Sequence, residues 1–382
     1  MGKRLGQVLL CMSVLAAGLP GGSMPAGASV TREVVLGQSA SFSGSWAAQA
    51  TSYRDGALAY LNWVNSNGGV YGMKIRLISL DDGYKVDRAV ENTRKLIEEE
   101  KVDALFNYTW TNTVRATIPI AIQAKVPYFG PYTGYDELYT SHSPYVFTTR
   151  ASFSEELAKI IVHLKTIGLT RIGLLYYDSP SGRELRAETT RMLADVGLRL
   201  HAEGKMKPTT KDASPAVAAL READMQALIL GASGSDAVAF IRQFEEVRKG
   251  RTQYYARSLI GIKQLVEELG PLAGGVSVSQ TAPNPFRSRA QVAVDYRRLL
   301  ARLDPRLKPD YIGLEGFISA KVMVEALRKA GPQPSRQTLA RALTGMGRVD
   351  VGGYAVRFAP GRHHGSHFVE LTLIGRDGRV VD

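Results

Sequence analysis

The stretch from Gly37 to Tyr84, "GQSASFSGSWAAQATSYRDGALAYLNWVNSNGGVYGMKIRLISLDDGY", decides the fold. It begins where an apolar strand, Glu33 to Gly37, gives way to a Ser-rich loop that carries Trp46. Tyr53, Ala57, Tyr60, Leu61 and Val64 then recur at helical spacing and mark one buried face. Asn67-Gly68-Gly69 ends that helix, because Gly adopts the positive φ that a helix C-terminus asks for. "KIRLISL" (74–80) is the next strand, and it runs into Asp81-Asp82. Strand, helix and strand in this order form one βαβ unit of a parallel sheet.

The same alternation continues after it. A helix marked by Ala89, Val90, Thr93, Leu96 and Ile97 leads to the strand "ALFNY" (104–108). A helix from about 113 to 124 then leads to "VPYFG" (126–130). A second series starts at "RIGLLYY" (171–177), with a helix at 183–196, the strand "QALILGA" (226–232) and a helix at 235–247. "QYYA" (253–256), a short helix at 264–269 and "GVSVSQ" (275–280) complete it. Helices follow at 291–303, 313–329 and 336–343, and the tail reads as β. Near-continuous apolar strands alternating with helices belong to parallel sheets covered on both faces. The expected class is α/β, with two doubly wound parallel-sheet lobes. "VFTTRAS" (146–152), "SVSQTAPNP" (277–285) and a segment near 352–360 are read as three crossovers, hence a three-strand hinge. The expected division is 29–148 plus 285–350 for the N-terminal lobe and 149–284 plus 351–382 for the C-terminal lobe.

The ends and the composition narrow the class. Lys3 and Arg4 precede the mostly apolar run "QVLLCMSVLAAGL", which breaks at Pro20-Gly21-Gly22, and Ala26-Gly27-Ala28 is a small-x-small pattern. Residues 1–28 therefore read as a cleaved secretory signal, whose apolar run is shorter than the ~20 residues a spanning helix needs. Cys11, the only cysteine, lies within it, so the mature fold is built without disulfides. About 350 mature residues exceed one hydrophobic core, as two lobes require. The net charge is +12, or +10 without Lys3 and Arg4, but the cations are mixed with acids ("RKLIEEEK", "RQFEEVRK"). That mixture describes solvated helix faces and argues against nucleic acid as a partner.

In doubly wound sheets ligands bind beyond the carboxyl ends of the strands. Here those loops are 39–46, 81–84, 107–113 and 131–135 in the first lobe, and 178–182, 231–235 and 257–261 in the second. They hold Ser, Thr, Gly, Tyr, Asn and Trp, with only Asp81, Asp82, Asp178 and Arg257 charged. Hydroxyls and free N–H groups hold a carboxylate or carbonyl, and aromatic rings wall off an apolar ligand body. On this reading Ser43, Gly44 and Ser45 cap a helix and touch the ligand while Trp46 lines the cleft; the alternative is plain capping with a surface Trp. Asp81-Asp82 reads as a turn-forming pair. "HHGSH" (363–367) has spacing compatible with metal but reads as a solvated loop. The chain has no GxGxxG, P-loop or GxSxG motif, and no cofactor is expected.

"GQSASFSGS", "NGGVYGMK", "LISLDDGY", "VPYFGPYTGYDELY", "YVFTTRAS", "RIGLLYYDSPSG" and "GLEGFISAKVMVEAL" follow one another in an order and spacing that resemble the type I periplasmic binding proteins. The leucine/isoleucine/valine receptors of ABC transporters are the most similar group, and the resemblance covers the whole mature chain. It implies a receptor that closes two lobes on a small solute and delivers it to a permease. It also implies that Thr111, Tyr132 and Gly134 hold a ligand carboxylate, with Ser43 and Trp46 nearby, and Tyr108, Trp110 and Thr133 are further first-lobe candidates. Ser181, Ser233 and Ser258 are the second-lobe candidates. Relatives hold an α-ammonium group with an aromatic residue and an acid, where this chain has Ser233-Gly234 and Leu259. Tyr108 and Trp110 are bulky where relatives are smaller. Both departures argue against a leucine-like ligand and leave an amide, a carboxylic acid or an aromatic acid.

The leading expectation is a monomeric periplasmic solute receptor feeding an ABC importer. The same fold could instead present its ligand to a sensor or chemoreceptor. An α/β enzyme is the third reading, and it lacks a base–nucleophile or metal constellation.

Overall fold

The computed structural model describes residues 1–2, 32–140 and 143–381. Apart from its first two residues, the signal segment read at 1–28 lies outside the described residues. The first sheet contains β1 (Val34–Ala40), β2 (Ile75–Asp81), β3 (Ala104–Phe106), β4 (Tyr128–Phe129) and β5 (Val146–Phe147). Its order is β2-β1-β3-β4-β5 and every pairing is parallel. The helices that connect these strands are α1 (Ala47–Ser66), α2 (Val86–Glu98), α3 (Thr111–Gln123) and the single turn α4 (Glu137–Thr140).

After β5 the chain enters α5 (Phe153–Thr166) and a second sheet. Its strands are β6 (Ile172–Tyr177), β7 (Leu200–Met206), β8 (Ala227–Leu230), β9 (Gln253–Ala256) and β10 (Ser277–Gln280), connected through α6 (Pro180–Asp195), α7 (Ser214–Leu220), α8 (Gly234–Val247) and α9 (Ile262–Leu269). The order β7-β6-β8-β9-β10 repeats the topology of the first sheet. The chain then returns to the first sheet's side as α10 (Gln291–Leu303), α11 (Tyr311–Ala330), α12 (Arg336–Thr344) and the hairpin β11 (Gly347–Asp350) and β12 (Ala355–Phe358). Finally β13 (Glu370–Ile374) and β14 (Val380–Val381) extend the second sheet antiparallel at the β10 edge.

Each sheet is buried on both faces. Residues of α1, α10, α11 and α12 pack on one side of the first sheet, and residues of α2 and α3 on the other. Strand β6 is buried at every position. Strand β7, "LHAEGKM", lies at the edge of the parallel set and alternates in burial, so no apolar run announces it. Close approach of α1 and α11 depends on glycine: a Cβ on Gly56 would stand 1.8 Å from the Gly313 carbonyl oxygen, and one on Gly316 would stand 2.0 Å from that of Tyr53.

Three segments cross between the sheets. The first follows β5, the second follows β10, and the third lies between β12 and β13. The third was expected near 352–360, but Val351, Tyr354, Val356 and Phe358 pack in the core of the first sheet's side, so the crossing comes after them. The crossings are tied together. The Thr148 N–H donates to the His363 carbonyl at 2.9 Å and the Gly365 N–H donates to the Thr148 carbonyl at 2.8 Å. The Tyr354 hydroxyl lies 3.0 Å from the carbonyl oxygens of both Thr149 and Thr281. The "HHGSH" segment is part of this hinge and not a solvated loop: His363 is buried, stacks on Phe147 at 4.4 Å and contacts the Ser143 carbonyl.

Arg150 occupies the first crossing and is 2% exposed. Its guanidinium pairs with Glu156 of α5 at 2.9 Å and with Glu315 of α11 at 3.4 Å, and it bonds the Ser258 hydroxyl. Glu156 also accepts from the Ser258 N–H and the Ser279 hydroxyl, each at 2.7 Å. Two carboxylates thus share one cation in a dry site. Burial pushes the Glu315 carboxyl up to about 7; Arg150 opposes the shift and the charge of Glu156 adds to it. Between pH 4.5, its ordinary value, and about 7, the folded state holds a proton that the unfolded chain has lost, so this group's contribution to stability falls as pH rises through that window and is level above it. Glu315→Gln keeps the site neutral throughout. Urea unfolding should show the variant gaining roughly 2–3 kcal/mol relative to the wild type between pH 5 and pH 8. A difference independent of pH would show that Glu315 titrates normally.

Candidate functional site

In both sheets the strand order reverses beside the first strand of the series: β1 lies between β2 and β3, and β6 between β7 and β8. The connections leaving β1 and β3 diverge to opposite faces, as do those leaving β6 and β8, which opens a crevice at each carboxyl edge. The two crevices face each other across a cavity of about 440 Å³.

On the first side, Asp81 shapes the loop after β1. It accepts the N–H groups of Phe42 (2.8 Å), Ser43 (3.1 Å) and Gly83 (3.0 Å), and the Ser43 hydroxyl (2.7 Å). Burial pushes the Asp81 carboxyl up, but these hydrogen bonds outweigh it and hold the group below its ordinary value. Asp82 accepts the hydroxyls of Ser39 and Ser41 at 2.9 and 2.8 Å. The acid pair therefore builds the turn, as its sequence reading states. This sets Trp46 at the start of α1 with its ring against Tyr84 (4.0 Å between centroids), Trp110 (4.6 Å) and Tyr177 (6.0 Å).

Trp110 precedes α3 with φ +69°, a backbone region that costs a bulky residue about 1–3 kcal/mol and persists where the surroundings enforce it. Its indole N–H is buried and has no hydrogen-bond partner among the described residues. The neighbouring Thr111 hydroxyl bonds that of Thr133 at 2.8 Å.

On the second side, Ser179 caps α6 and places Ser181 and Gly182 on the cavity wall. The Tyr177 hydroxyl accepts the Ser233 N–H and donates to Asp236, both at 3.0 Å, which fixes the loop into α8. Arg257 follows β9 directly. Its guanidinium lies 4.0 Å over the Phe153 ring, and desolvation holds its pKa below the ordinary value.

The two sides touch. The Trp46 indole N–H donates to the Ser233 carbonyl at 3.2 Å, and the Gln49 amide donates to Gln264 at 3.0 Å. Arg115 of α3 reaches both carboxylate oxygens of Glu184 of α6, at 2.8 and 2.7 Å, and lies over the Tyr135 ring at 4.2 Å. The cleft is closed in this structure.

Of the residues singled out in the sequence, Trp46, Trp110, Thr111, Ser181 and Ser233 line the cavity. Ser43 does not: it is exposed and committed to Asp81, and the cap position of α1 is Trp46, with no side-chain cap bond. Tyr108 lies in the core behind, packed on Tyr128 at 4.9 Å and bonded to Thr93 at 3.1 Å. Tyr132, Thr133 and Gly134 lie beneath the floor, where the Gly134 carbonyl accepts the Phe153 N–H at 2.6 Å. Ser258 belongs to the Arg150 cluster. Tyr84, Tyr135, Phe153, Tyr177 and Arg257 line the cavity without having been singled out. Arg257 carried a usable signal, as the one cation in the carboxyl-edge loops read from the sequence; Phe153 arrives from the hinge and carried none. Among the described residues no group of three or more His, Cys, Asp or Glu could hold a metal ion.

Closure brings Gly234, with φ +58°, against Trp46: an added Cβ would stand 2.6 Å from the indole and 2.7 Å from the Ser45 carbonyl oxygen. Gly234→Ala should hold the cleft open, seen as a larger radius of gyration in small-angle scattering. Gly250→Ala, at φ +72° but with open space around it, is the control for backbone strain and should leave the scattering unchanged. Identical scattering for both variants would show that this contact does not limit closure.

Comparison with known proteins agrees with this geometry. A family model described as periplasmic binding protein matches residues 33–379. A substrate-binding periplasmic protein from Ralstonia solanacearum is 35% identical in sequence, with a TM-score of 0.87, covering 91% of this chain and 99% of that one. A possible leucine/isoleucine/valine-binding protein from Rhodopirellula baltica is 27% identical, with a TM-score of 0.87, covering 92% and 97%. The Leu/Ile/Val-binding protein homolog 7 of Brucella abortus is 24% identical over 82% of this chain and 74% of its own length. With two doubly wound lobes, a closed cleft at their facing carboxyl edges and a family match along nearly the whole described chain, this protein belongs to the type I periplasmic binding proteins of the leucine/isoleucine/valine type.

Proposed function

We propose that this protein is a periplasmic receptor that captures one small solute between its lobes and hands it to the permease of an ABC importer. The observation that supports this most directly is the cavity itself. Its volume falls in the range of small-molecule sites, and its walls come from loops of both sheets, so a ligand there bridges the two sides. The leader at 1–28 carries the chain to the periplasm, and one cleft per monomer suffices. The lobe division is the one read from sequence, with 351–358 moved to the N-terminal lobe, and the three crossings serve as the hinge on which the lobes open. Trp46, Trp110, Thr111, Ser181 and Ser233 contact the solute. The site binds and releases, and the solute leaves unchanged.

The test is a thermal-shift and tryptophan-fluorescence screen of the mature protein against amino acids, short amides and aromatic and aliphatic carboxylates. A ligand at a hundredfold above its Kd stabilises the folded state by ~2.7 kcal/mol, and Trp46 and Trp110 report its entry. Trp110→Ala and Thr111→Ala should each weaken binding tenfold or more, and mass spectrometry should recover the solute intact. A converted solute would establish an enzyme. Uptake that survives deletion of the protein while taxis is lost would establish a sensor's receptor.

A further inference from the structure

The charges around the cavity are not equivalent. Glu184 is held by Arg115 at 2.7 Å. Glu188 accepts the Ser154 hydroxyl and lies 3.8 Å from Arg191, which also pairs with Asp195 at 2.9 Å. Asp136 accepts the Ser154 N–H at 3.3 Å. Arg257 alone has neither an ion pair nor a hydrogen bond among the described residues; Asp136, Glu156 and Glu188 act on it only from a distance. It is half-buried, oriented by Phe153 at 4.0 Å, and on the cavity wall. A desolvated guanidinium with all its donors open is costly unless an acceptor enters, and the planar acceptor that meets its fork with two parallel hydrogen bonds is a carboxylate.

The remainder of the wall fits the body of such a ligand. Trp46, Tyr84, Trp110, Tyr135, Phe153 and Tyr177 present rings to the cavity. Ring faces and edges stack on flat apolar groups. The hydroxyl side of the first lobe is already engaged, since Thr111 bonds Thr133. The acids that could receive an ammonium group already have donors.

We propose that the solute is an aromatic carboxylate without an α-ammonium group, held with its carboxylate on Arg257 of the second lobe and its ring among the first-lobe aromatics. This rests on the receptor reading above and adds the ligand's class and polarity: the anion is anchored from the second lobe, and the first lobe supplies the aromatic walls. The buried Trp110 N–H offers a further donor to a ring substituent.

The experiment is calorimetric titration of the mature protein with 3-phenylpropionate, 3-phenylpropionamide, phenylalanine and leucine. The acid should bind, with the amide and phenylalanine at least 100-fold weaker. Arg257→Gln should lose at least 100-fold for the acid, and Arg257→Lys, a point charge without the fork, about tenfold. Because Arg257 has no ion pair or hydrogen bond among the described residues, the ligand-free melting temperature of Arg257→Gln should fall little, which separates lost binding from lost folding. Equal affinity for acid and amide, tighter binding of phenylalanine, or undiminished binding by Arg257→Gln overturns the proposal. Should leucine or the amide bind instead, and lose affinity in Trp110→Ala, the ligand class falls and the receptor stands. If no solute of the wider screen binds, both fall.

Discussion

Arg150 pairs with a carboxylate on each side of the crossing it occupies, Glu315 on α11 with the first sheet and Glu156 on α5 with the second. The loop after β9 and the end of β10 meet this cluster through the Ser258 and Ser279 hydroxyls. A guanidinium this deeply buried persists only while a carboxylate partner does, since removing both would leave an uncompensated charge that costs about 3–5 kcal/mol. The cluster therefore fixes the positions of both lobes relative to the hinge. It also holds the floor of the cleft, because Arg150 lies 5.2 Å over the Tyr132 ring and Tyr132 packs on Trp110 at 5.8 Å.

From that floor the site is built in layers. Tyr53 and Tyr132, 4.8 Å apart, support Trp110 from below, and Trp110 in turn packs on Trp46. Trp46 then crosses to the second lobe through its hydrogen bond to Ser233. A column of aromatic contacts thus runs from the hinge to the closing contact. Rings suit this task because each covers a large apolar area at little cost in side-chain entropy. The outer Arg115–Glu184 pair is partly exposed and contributes less, on the order of 1 kcal/mol, and it weakens with salt. Closure is held mainly by the aromatic column and only secondarily by charge.

Loops after strands are predictable in position but not in side-chain direction. Ser43 and Trp46 share one loop, yet Asp81 turns Ser43 outward and leaves Trp46 facing in. Thr133 and Tyr135 share another; Thr133 reaches Thr111 from beneath and Tyr135 lines the wall. Ser258 follows Arg257 directly, but the hinge carboxylate Glu156 claims Ser258 while Arg257 faces the cavity. In each case a long-range partner, absent from the local sequence, selects which of two adjacent side chains is free for a ligand.

The sequence by itself determined the α/β class, the two series of strands and the carboxyl-edge loops, because hydrophobic periodicity and glycine placement are local and survive without knowledge of neighbours, and the order of its motifs carried the resemblance to the family. It also marked Trp46, Trp110, Thr111, Ser181 and Ser233. The edge strand β7 escaped it, since half-buried alternation in "LHAEGKM" looks like loop. Only the tertiary structure decided that Val351, Tyr354, Val356 and Phe358 pack with the first sheet's core, that His363 lies in the hinge, and that Arg257 faces the cleft with no ion pair among the described residues. Those facts depend on which distant carboxylates, rings and carbonyls arrive within bonding distance, and that is settled by packing rather than by any stretch of chain.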